Sequence, residues 1–210
     1  MDENLKKKLL SGLREIVETV VFVTVMVIVI RFFIGEIRWI PSASMKPTLV
    51  EKDRIFVERY SRFFTSPKRG DIMVFYPPNE EIKTDFLSIF ERLTGFFCKD
   101  IAYIKRVVGL PGDKLEIKEF INGEYKVYIN DKPLEEPYIM SSSDYIPCSN
   151  DMFCGPMVIP DGQYFMMGDN RGNSQDSRFW GFLPKERFIG RAIFLFWPVN
   201  RVKTFKHVNY

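Results

Sequence analysis

The chain has 210 residues, of which 30 are basic and 27 acidic, so its net charge is +3. Both charge types are mixed along the chain, which excludes the basic surface expected of a nucleic-acid-binding protein. Once one apolar N-terminal segment is set aside, about 175 residues remain, enough for one well-packed domain.

The first predicted element is a membrane-spanning helix from Ile16 to Ile34, a segment that is almost wholly apolar. A spanning helix needs ~20 residues, and this segment is long enough if Glu18 and Arg31 reach toward the interfaces. Fewer basic residues follow the segment closely than precede it, which predicts a cytoplasmic N-terminus and an exported C-terminal domain. The preceding basic residues are Lys6, Lys7, Lys8 and Arg14.

A cleavable signal peptide is the alternative interpretation of the N-terminus. A basic start, an apolar run and the small residues Ser42-Ala43-Ser44 have the usual three-part form. However, the residues between the run and these small residues, Arg31 to Ile40, are too many, too charged and too bulky for a cleavage region. We therefore expect residues 1–35 to be retained as a cytoplasmic N-terminus and membrane anchor, followed by an exported β-rich domain over residues 36–210.

Two serines, Ser42 and Ser44, follow this segment in the stretch Pro41 to Leu49 and are candidate nucleophiles. The only histidine in the chain is His207, near the C-terminus, where a scaffold would orient it poorly. A Ser-His-Asp triad is therefore not expected. A serine paired with a deprotonated lysine is the main remaining arrangement for acyl chemistry.

From Arg54 onward the chain predicts a mainly β domain with an antiparallel or mixed sheet. Short β-branched and aromatic runs alternate with turn signals, of which Asn122-Gly123 is the strongest hairpin signal. The predicted strands include residues 55–57, 72–76, 103–108, 114–117 and 125–129. Residues 85–97 predict either a membrane-touching helix or a covered core element, and residues 115–160 form an insertion with a polar excursion at 138–156.

The strand around Lys105 and Arg106 places these two adjacent cations on opposite faces, so one of them is expected to point inward. Such a pair is often just a solvated strand edge. A buried lysine, however, has a lowered pKa because desolvation disfavours the ammonium form, and it can then act as a general base near neutral pH.

A polar loop, Gly168 to Pro184, follows the apolar strand Tyr164 to Met167. It is dense in hydrogen-bonding side chains, and a loop at the end of a core strand often lines a site. Composition alone also allows an ordinary connection built from turns.

Three cysteines fit an exported domain. Cys148 and Cys154 bracket a short loop that a disulfide could close in an oxidising compartment, although two unpaired thiols are the alternative. Cys98 would remain unpaired. Neither a Cys-x-x-Cys motif nor a histidine cluster is present in the sequence, so we expect no metal and no other cofactor.

Together these segments resemble the type I signal peptidases, the membrane-bound Ser-Lys proteases that remove leader peptides from exported proteins. The resemblance covers the anchor and four boxes in the correct order, at residues 41–49, 69–75, 103–113 and 168–184. It implies a mainly β catalytic domain of the signal-peptidase type, a single-pass location in the bacterial inner membrane with that domain in the periplasm, and cleavage of precursors after small residues of the Ala-x-Ala type. The chain is short for Gram-negative members, which often have two spans and a larger second β domain.

The resemblance also implies a role for individual residues. Ser44 matches the nucleophile and Lys105 the general base, while Ser42 matches the hydroxyl that donates to the oxyanion hole beside the Ser44 backbone N–H. Ser174 matches the serine that orients the lysine. Asp176 and Arg178 match a supporting ion pair, and the residues matching the walls of the small-residue pockets are Ile40, Met45, Val74 and Ile104.

Two other classes of protein remain as alternatives. A self-cleaving repressor-type Ser-Lys protease is disfavoured by the anchor and by the absence of an N-terminal DNA-binding segment. A non-catalytic, membrane-tethered β domain that binds exported chains is disfavoured by the intact Ser44 and Lys105. The expected partners are precursor proteins bearing signal peptides and membrane lipid, and the sequence predicts no oligomeric state.

Overall fold

The computed structural model describes residues 3–94, 101–121, 123–140, 145, 148 and 152–205. Its first helix, α1 (Glu3–Val29), continues as a π-helical turn, Ile30–Ile34. Within the described residues this is the one helix that is long and apolar enough to cross a membrane, and none of its most apolar window is buried. The chain passes directly from this turn into the first strand.

The largest element after this turn is an eight-stranded antiparallel β-sheet, which confirms the predicted mainly β fold. The strands are β1 (Gly35–Trp39), β2 (Arg54–Glu58), β3 (Ile72–Phe75), β4 (Tyr103–Gly109), β9 (Gln163–Met167), β10 (Leu183–Pro184), β11 (Phe188–Trp197) and β12 (Lys203–Thr204). Their order in the sheet is β1-β2-β11-β3-β4-β9-β10, with β12 beside β11, and every pair is antiparallel.

A second, four-stranded sheet is built from the predicted insertion. Its order is β7-β6-β5-β8, also antiparallel. Its strands are β5 (Lys114–Glu119), β6 (Tyr125–Ile129), β7 (Lys132–Pro133) and β8 (Met157–Val158). The predicted hairpin turn contains Asn122, which lies outside the described residues, but the strands on either side of it pair from Glu119 with Tyr125 onward.

Three short α-helices lie between the strands: α2 (Ser61–Phe64), α3 (Phe86–Thr94) and α4 (Ser177–Trp180). Three single turns of 3-10 helix are also described, at Arg171–Asn173, Lys185–Arg187 and Val199–Arg201. Helix α3 occupies most of the segment that was predicted to be a helix or a covered element, and residues 95–97 of that segment lie outside the described residues. An Asp85 carboxylate accepts hydrogen bonds from the Ser88 backbone N–H and hydroxyl, so it caps the start of α3. Only parts of the polar excursion at 138–156 are described.

Side-chain alternation sends the strands of the large sheet into different cores. Val57, Val74 and Ile104 join one buried cluster, whereas Met73 and Phe75 join another. A third cluster joins the small sheet to the large one, and its members include Leu115 of β5 and Phe165 and Met167 of β9. Strand β3 is buried along its whole length. Strand β4 pairs with it in a continuous antiparallel register, from Ile72 with Arg106 to Phe75 with Tyr103.

Candidate active site

Ser44 and Lys105, 61 positions apart in sequence, meet in a buried hydrogen bond. The Lys105 Nζ and Ser44 Oγ atoms are 2.7 Å apart. Both residues are buried, with Lys105 5% and Ser44 7% exposed to solvent. Ser42 Oγ lies 3.2 Å from Ser44 Oγ, so both serines of the predicted box are at the same place. The contact requires a fixed turn on one side and a fixed strand register on the other.

Buried apolar side chains and backbone hydrogen bonds hold the Ser44 turn, which comprises residues 43–49. Met45 and Leu49 are fully buried. The Leu49 N–H donates to the Met45 carbonyl at 2.8 Å, and the Lys46 N–H donates to the Ala43 carbonyl at 3.1 Å. Burial of two large apolar residues therefore fixes the backbone on which the candidate nucleophile sits.

The polar loop after β9 holds the same turn from its other side. The Asn170 backbone N–H donates to the Ser44 carbonyl, and the Asn170 side-chain amide donates to the Ala43 carbonyl, both at 3.1 Å. Sequence reasoning did not assign Asn170 a role. Its only signal was its place in a polar loop directly after a core strand.

Burial lowers the pKa of Lys105 to about 8 from its ordinary value of 10.5. The carboxylates of Asp176 and Asp169 oppose this shift, and the Arg178 guanidinium adds to it. An amine with this pKa is partly neutral near neutral pH, which is the form that accepts a proton. The site therefore contains a hydroxyl with a usable base in direct contact.

Arg106 is buried as well, so the expectation that only one of the two adjacent cations points inward is wrong. Its guanidinium binds both oxygens of Asp169, at 2.8 and 2.6 Å, and donates to the Gly70 carbonyl at 2.8 Å. Strand β4 has structure on both faces, and Asp169 supplies the charge that lets Arg106 be buried there.

Asp176 and Arg178 form a second buried ion pair, with Nε and Nη2 each 2.9 Å from a carboxylate oxygen. Asp176 also accepts from the Gly168 backbone N–H at 3.1 Å. Burial acts to raise the pKa of Asp176, but the hydrogen bonds and charge of Arg178 outweigh it, so this pKa lies below its ordinary value. The carboxylate is thus charged and tied to the end of β9.

Ser174 is buried beside the Ser44 turn, but its hydroxyl makes no hydrogen bond to Lys105. Its Oγ makes no hydrogen bond of standard geometry within the described residues, but it lies close enough to the Asp176 carboxylate to help lower the pKa of that group. Gly168 separates the two serines: a Cβ added there would lie 2.3 Å from Ser174 Oγ and 2.4 Å from the Ser44 carbonyl oxygen. A glycine is therefore required for the loop to approach the turn this closely.

Two adjoining clefts open beside the serine and lysine. One, of about 340 Å³, is lined by Ser42, Ser44 and Lys105 among others, and the second, of about 180 Å³, lies toward β1. Ile40, Val74 and Ile104 line the second cleft. Met45 is fully buried and lines neither cleft. Residues without a predicted role also line the first cleft: Pro41, Ala43, Ile101, Ala102, Tyr103, Asn173 and Gln175.

A third buried ion pair joins the insertion to the polar loop. Arg171 binds both carboxylate oxygens of Glu136, at 2.9 and 2.5 Å, and donates to the Gly168 carbonyl at 2.9 Å. Sequence reasoning missed this pair because nothing local to either residue indicates the other.

Cys148 and Cys154 are joined by a disulfide, with their Cα atoms 6.2 Å apart. Within the loop that it closes, the Phe153 backbone N–H donates to the Arg178 carbonyl at 2.7 Å. The disulfide loop is therefore tied directly to α4 and its ion pair. Cys98 and His207 lie outside the described residues.

Comparison with known proteins gives consistent matches over most of the chain. The family described as signal peptidase, peptidase S26, matches residues 13–197. Signal peptidase I of Leptolyngbya laminosa is 43% identical over 91% of this chain and 83% of its own length. Signal peptidase I S of Bacillus subtilis is 34% identical over 96% and 97%, and thylakoidal processing peptidase 1 of Arabidopsis thaliana is 35% identical over 93% and 52%. A solved signal peptidase I of Enterococcus faecalis matches 60% of this chain and 97% of its own at 26% identity, with a TM-score of 0.41.

Proposed function

Because the chain belongs to the signal peptidase family S26 and cleaves signal peptides from exported proteins as a serine endopeptidase, we propose that Ser44 and Lys105 are its catalytic dyad. The observation that carries this assignment is the 2.7 Å hydrogen bond between their side chains. The lowered pKa of Lys105, about 8, supports its role as the base. Family membership sets aside the alternative of a non-catalytic tethered domain.

The reaction proceeds in two steps that share one base. Neutral Lys105 takes the proton of Ser44 Oγ as this oxygen attacks the peptide carbonyl, and the resulting ammonium gives a proton to the leaving amine. The signal-peptide carbonyl is then esterified to Ser44. Lys105 next takes a proton from water as this water attacks the ester, and the Lys105 ammonium gives the proton to the leaving Ser44 Oγ, which releases the signal peptide and restores both side chains.

Ser42 supplies an oxyanion donor together with the Ser44 backbone N–H. Its hydroxyl is exposed on the cleft and lies beside the attacking oxygen, which supports this role. A donor aimed at the developing negative charge contributes ~2.7 to 4 kcal/mol to transition-state stabilisation.

Ser174, Asp176 and Arg178 are positioning residues in this proposal. Ser174 orients Lys105, a role supported by its burial and by its close approach to the Ser44 turn past Gly168. The Asp176–Arg178 pair fixes the end of β9 and the loop that carries Ser174. Two hydrogen bonds support this role: Asp176 accepts from the Gly168 backbone N–H, and Arg178 donates to the Arg171 carbonyl.

The clefts accept the residues that precede the cleaved bond. Apolar walls from Ile40, Val74 and Ile104 leave room for small side chains, so precursors ending in an Ala-x-Ala type sequence are the proposed substrates. Met45 contributes from behind this surface, since it is fully buried and packs in the same core cluster as these three residues.

The membrane arrangement belongs to the same proposal. Residues 1–35 form the cytoplasmic N-terminus and a single-pass anchor in the bacterial inner membrane, and residues 36–210 form the periplasmic catalytic domain, with the insertion at about 115–160 as its second sheet. The excess of basic residues before the apolar helix supports this orientation. Helix α3 contacts α1 and the π-helical turn, and its Phe86 is 84% exposed, which supports a lipid contact along this side.

Intact-mass analysis of an Ala-x-Ala precursor incubated with detergent-solubilised enzyme tests the assignment. We expect a single cut after the final alanine with the wild type and with Lys132→Ala, which removes an exposed lysine of β7. We expect no product with Ser44→Ala or Lys105→Ala. Cleavage that survives in Lys105→Ala would show that another group is the base.

A further inference from the structure

A basic cleft lies beside α2, outside the candidate active site. It is lined by three cations, Arg62, Lys185 and Arg191, by the single carboxylate of Asp71, and by the apolar side chains of Met73 and Phe188 among others. Its volume is about 20 Å³, against about 340 Å³ for the first active-site cleft. The proposed reaction uses none of these residues, so their convergence needs another explanation.

Arg191 is the one cation of this cleft with described acidic partners. Its Nε lies 3.2 Å from a Glu58 oxygen, and its Nη1 lies 3.8 Å from an Asp71 oxygen. Within the described residues Arg62 and Lys185 form no ion pair, and Lys185 Nζ donates to the Ser66 hydroxyl at 3.2 Å. Two of the three cations are therefore not neutralised by a contacting carboxylate.

Arg62 is held in a position that favours an anion beside it. Its guanidinium carbon lies 5.3 Å from the Phe32 ring centre and 4.6 Å from that of Phe63. Its Nε is buried and has no hydrogen-bond partner within the described part of the chain. Burial, reinforced by the nearby charge of Arg59, lowers its pKa, so this cation is short of compensating negative charge.

The position of the cleft in the chain indicates which anion reaches it. Phe32 belongs to the π-helical turn that ends the apolar helix, so Arg62 lies directly at the end of the predicted span. Phe63 is half-exposed, and Phe64, the last residue of α2, is 82% exposed. Apolar rings beside unneutralised cations at the end of a span match the two parts of a phospholipid, its acyl chains and its phosphate.

We infer that this cleft, between α2 and the Lys185 side chain, binds the phosphate of an anionic phospholipid headgroup while Phe63 and Phe64 contact its acyl chains. The inference rests on the proposed membrane contact and gives it a specific site. The Arg62 guanidinium presents several donors to phosphate oxygens, and Lys185 adds a compact charge.

Lipid binding by the full-length protein in nonionic detergent tests the site. The probes are dioctanoyl-phosphatidylglycerol and dioctanoyl-phosphatidylcholine, and bound lipid is counted by native mass spectrometry over a concentration series. We expect the wild type to bind phosphatidylglycerol more tightly than phosphatidylcholine. Arg62→Gln and Lys185→Gln should each weaken phosphatidylglycerol binding about fivefold.

Two variants of the same kind serve as controls. Arg54→Gln and Lys132→Gln remove exposed cations at the far end of β2 and in the small sheet, and should leave binding unchanged. Lys185 is only partly buried, so Lys185→Gln keeps the test valid if Arg62→Gln reduces thermal stability. Equal phosphatidylglycerol binding by the wild type and Lys185→Gln would overturn the site.

Inorganic phosphate separates a lipid site from a free-anion site. Displacement of phosphatidylglycerol by equimolar phosphate would overturn the lipid assignment, whereas retention of the lipid supports it. Cleavage of a short soluble peptide is measured on the same samples and should be equal in the wild type, Arg62→Gln and Lys185→Gln. If the wild type does not cleave this peptide, the result counts against the proposed dyad and leaves the lipid-binding result unaffected.

Discussion

Two adjacent buried cations, Arg106 and Lys105, lie on opposite faces of β4 and have different partners. Arg106, on one face, is gripped by both oxygens of Asp169 and stacks on the Tyr138 ring, with 3.9 Å between the guanidinium carbon and the ring centre. Lys105, on the other face, is equally buried but contacts the Ser44 hydroxyl, and it forms no ion pair with a described carboxylate. Burial alone therefore does not make a base. The carboxylate that contacts Arg106 stabilises its charged form. No described carboxylate contacts Lys105, so burial lowers its pKa and it can lose its proton.

Removing either member of the dyad is the largest change expected. Ser44→Ala and Lys105→Met should each lower kcat/KM by about 10⁴-fold or more, because nucleophile and base act as one unit. Arg106→Lys, which keeps the charge on the other face, should lose far less activity if it folds. Steady-state cleavage of a short Ala-x-Ala peptide measures kcat/KM for all three variants. An equal loss of kcat/KM in the three would contradict the distinction between the two faces.

Asp169→Asn tests the structural face. Removing the carboxylate leaves the buried Arg106 without its counter-charge, and we expect a loss of about 3 to 5 kcal/mol in the free energy of unfolding. Asp131→Asn, which removes an exposed carboxylate paired with Lys114, should leave stability unchanged. Urea unfolding of both variants in the same detergent measures the difference. Equal stability of the two would contradict the role given to Asp169.

Ser42→Ala sharpens the account of the catalytic face. Loss of one oxyanion donor should lower kcat by about 10²- to 10³-fold while leaving Ser44 acylation detectable. The Lys105 pKa should not change, because Ser42 is absent from the groups that set it. A pH profile shifted together with kcat would show that Ser42 acts through the lysine instead.

Lys105→Met should stabilise the fold while destroying activity. The folded pKa of about 8 lies below the ordinary 10.5, so the charged lysine is disfavoured in the folded state, at a cost of roughly 3 kcal/mol when both states are protonated. This cost is full below pH 8, shrinks between pH 8 and 10.5, and is absent above that. The stability gain of the variant, measured by urea unfolding, should therefore be largest at neutral pH and fade as the pH rises.

Local pattern was sufficient for the strands and for the box residues around them. Strands β3 and β4 are short apolar runs between turn signals, so these elements were predictable from the sequence. The turn that carries Ser44 was not among the predicted elements. The roles of Ser44, Ser42, Lys105 and Ser174 came from the family resemblance, and they remain predictions about chemistry.

Contacts between distant segments were not predictable. Asn170 reaches the Ala43 and Ser44 carbonyls, and Arg171 pairs with Glu136, only because sheet register and the loop after β9 bring them together. The burial of Arg106 was missed for the same reason, since its partner Asp169 is 63 positions away. No periodicity in one sequence records such pairings.

The central claim is that Lys105 is a base because burial lowers its pKa. The most direct measurement is kcat/KM for a short Ala-x-Ala peptide from pH 6 to pH 10, which reports the ionisations of the free enzyme. We predict a tenfold rise per pH unit below pH 8, an inflection near the pKa of about 8, and a plateau above it. A profile that is flat across this range, or one that still rises tenfold between pH 9 and pH 10, would contradict the claim.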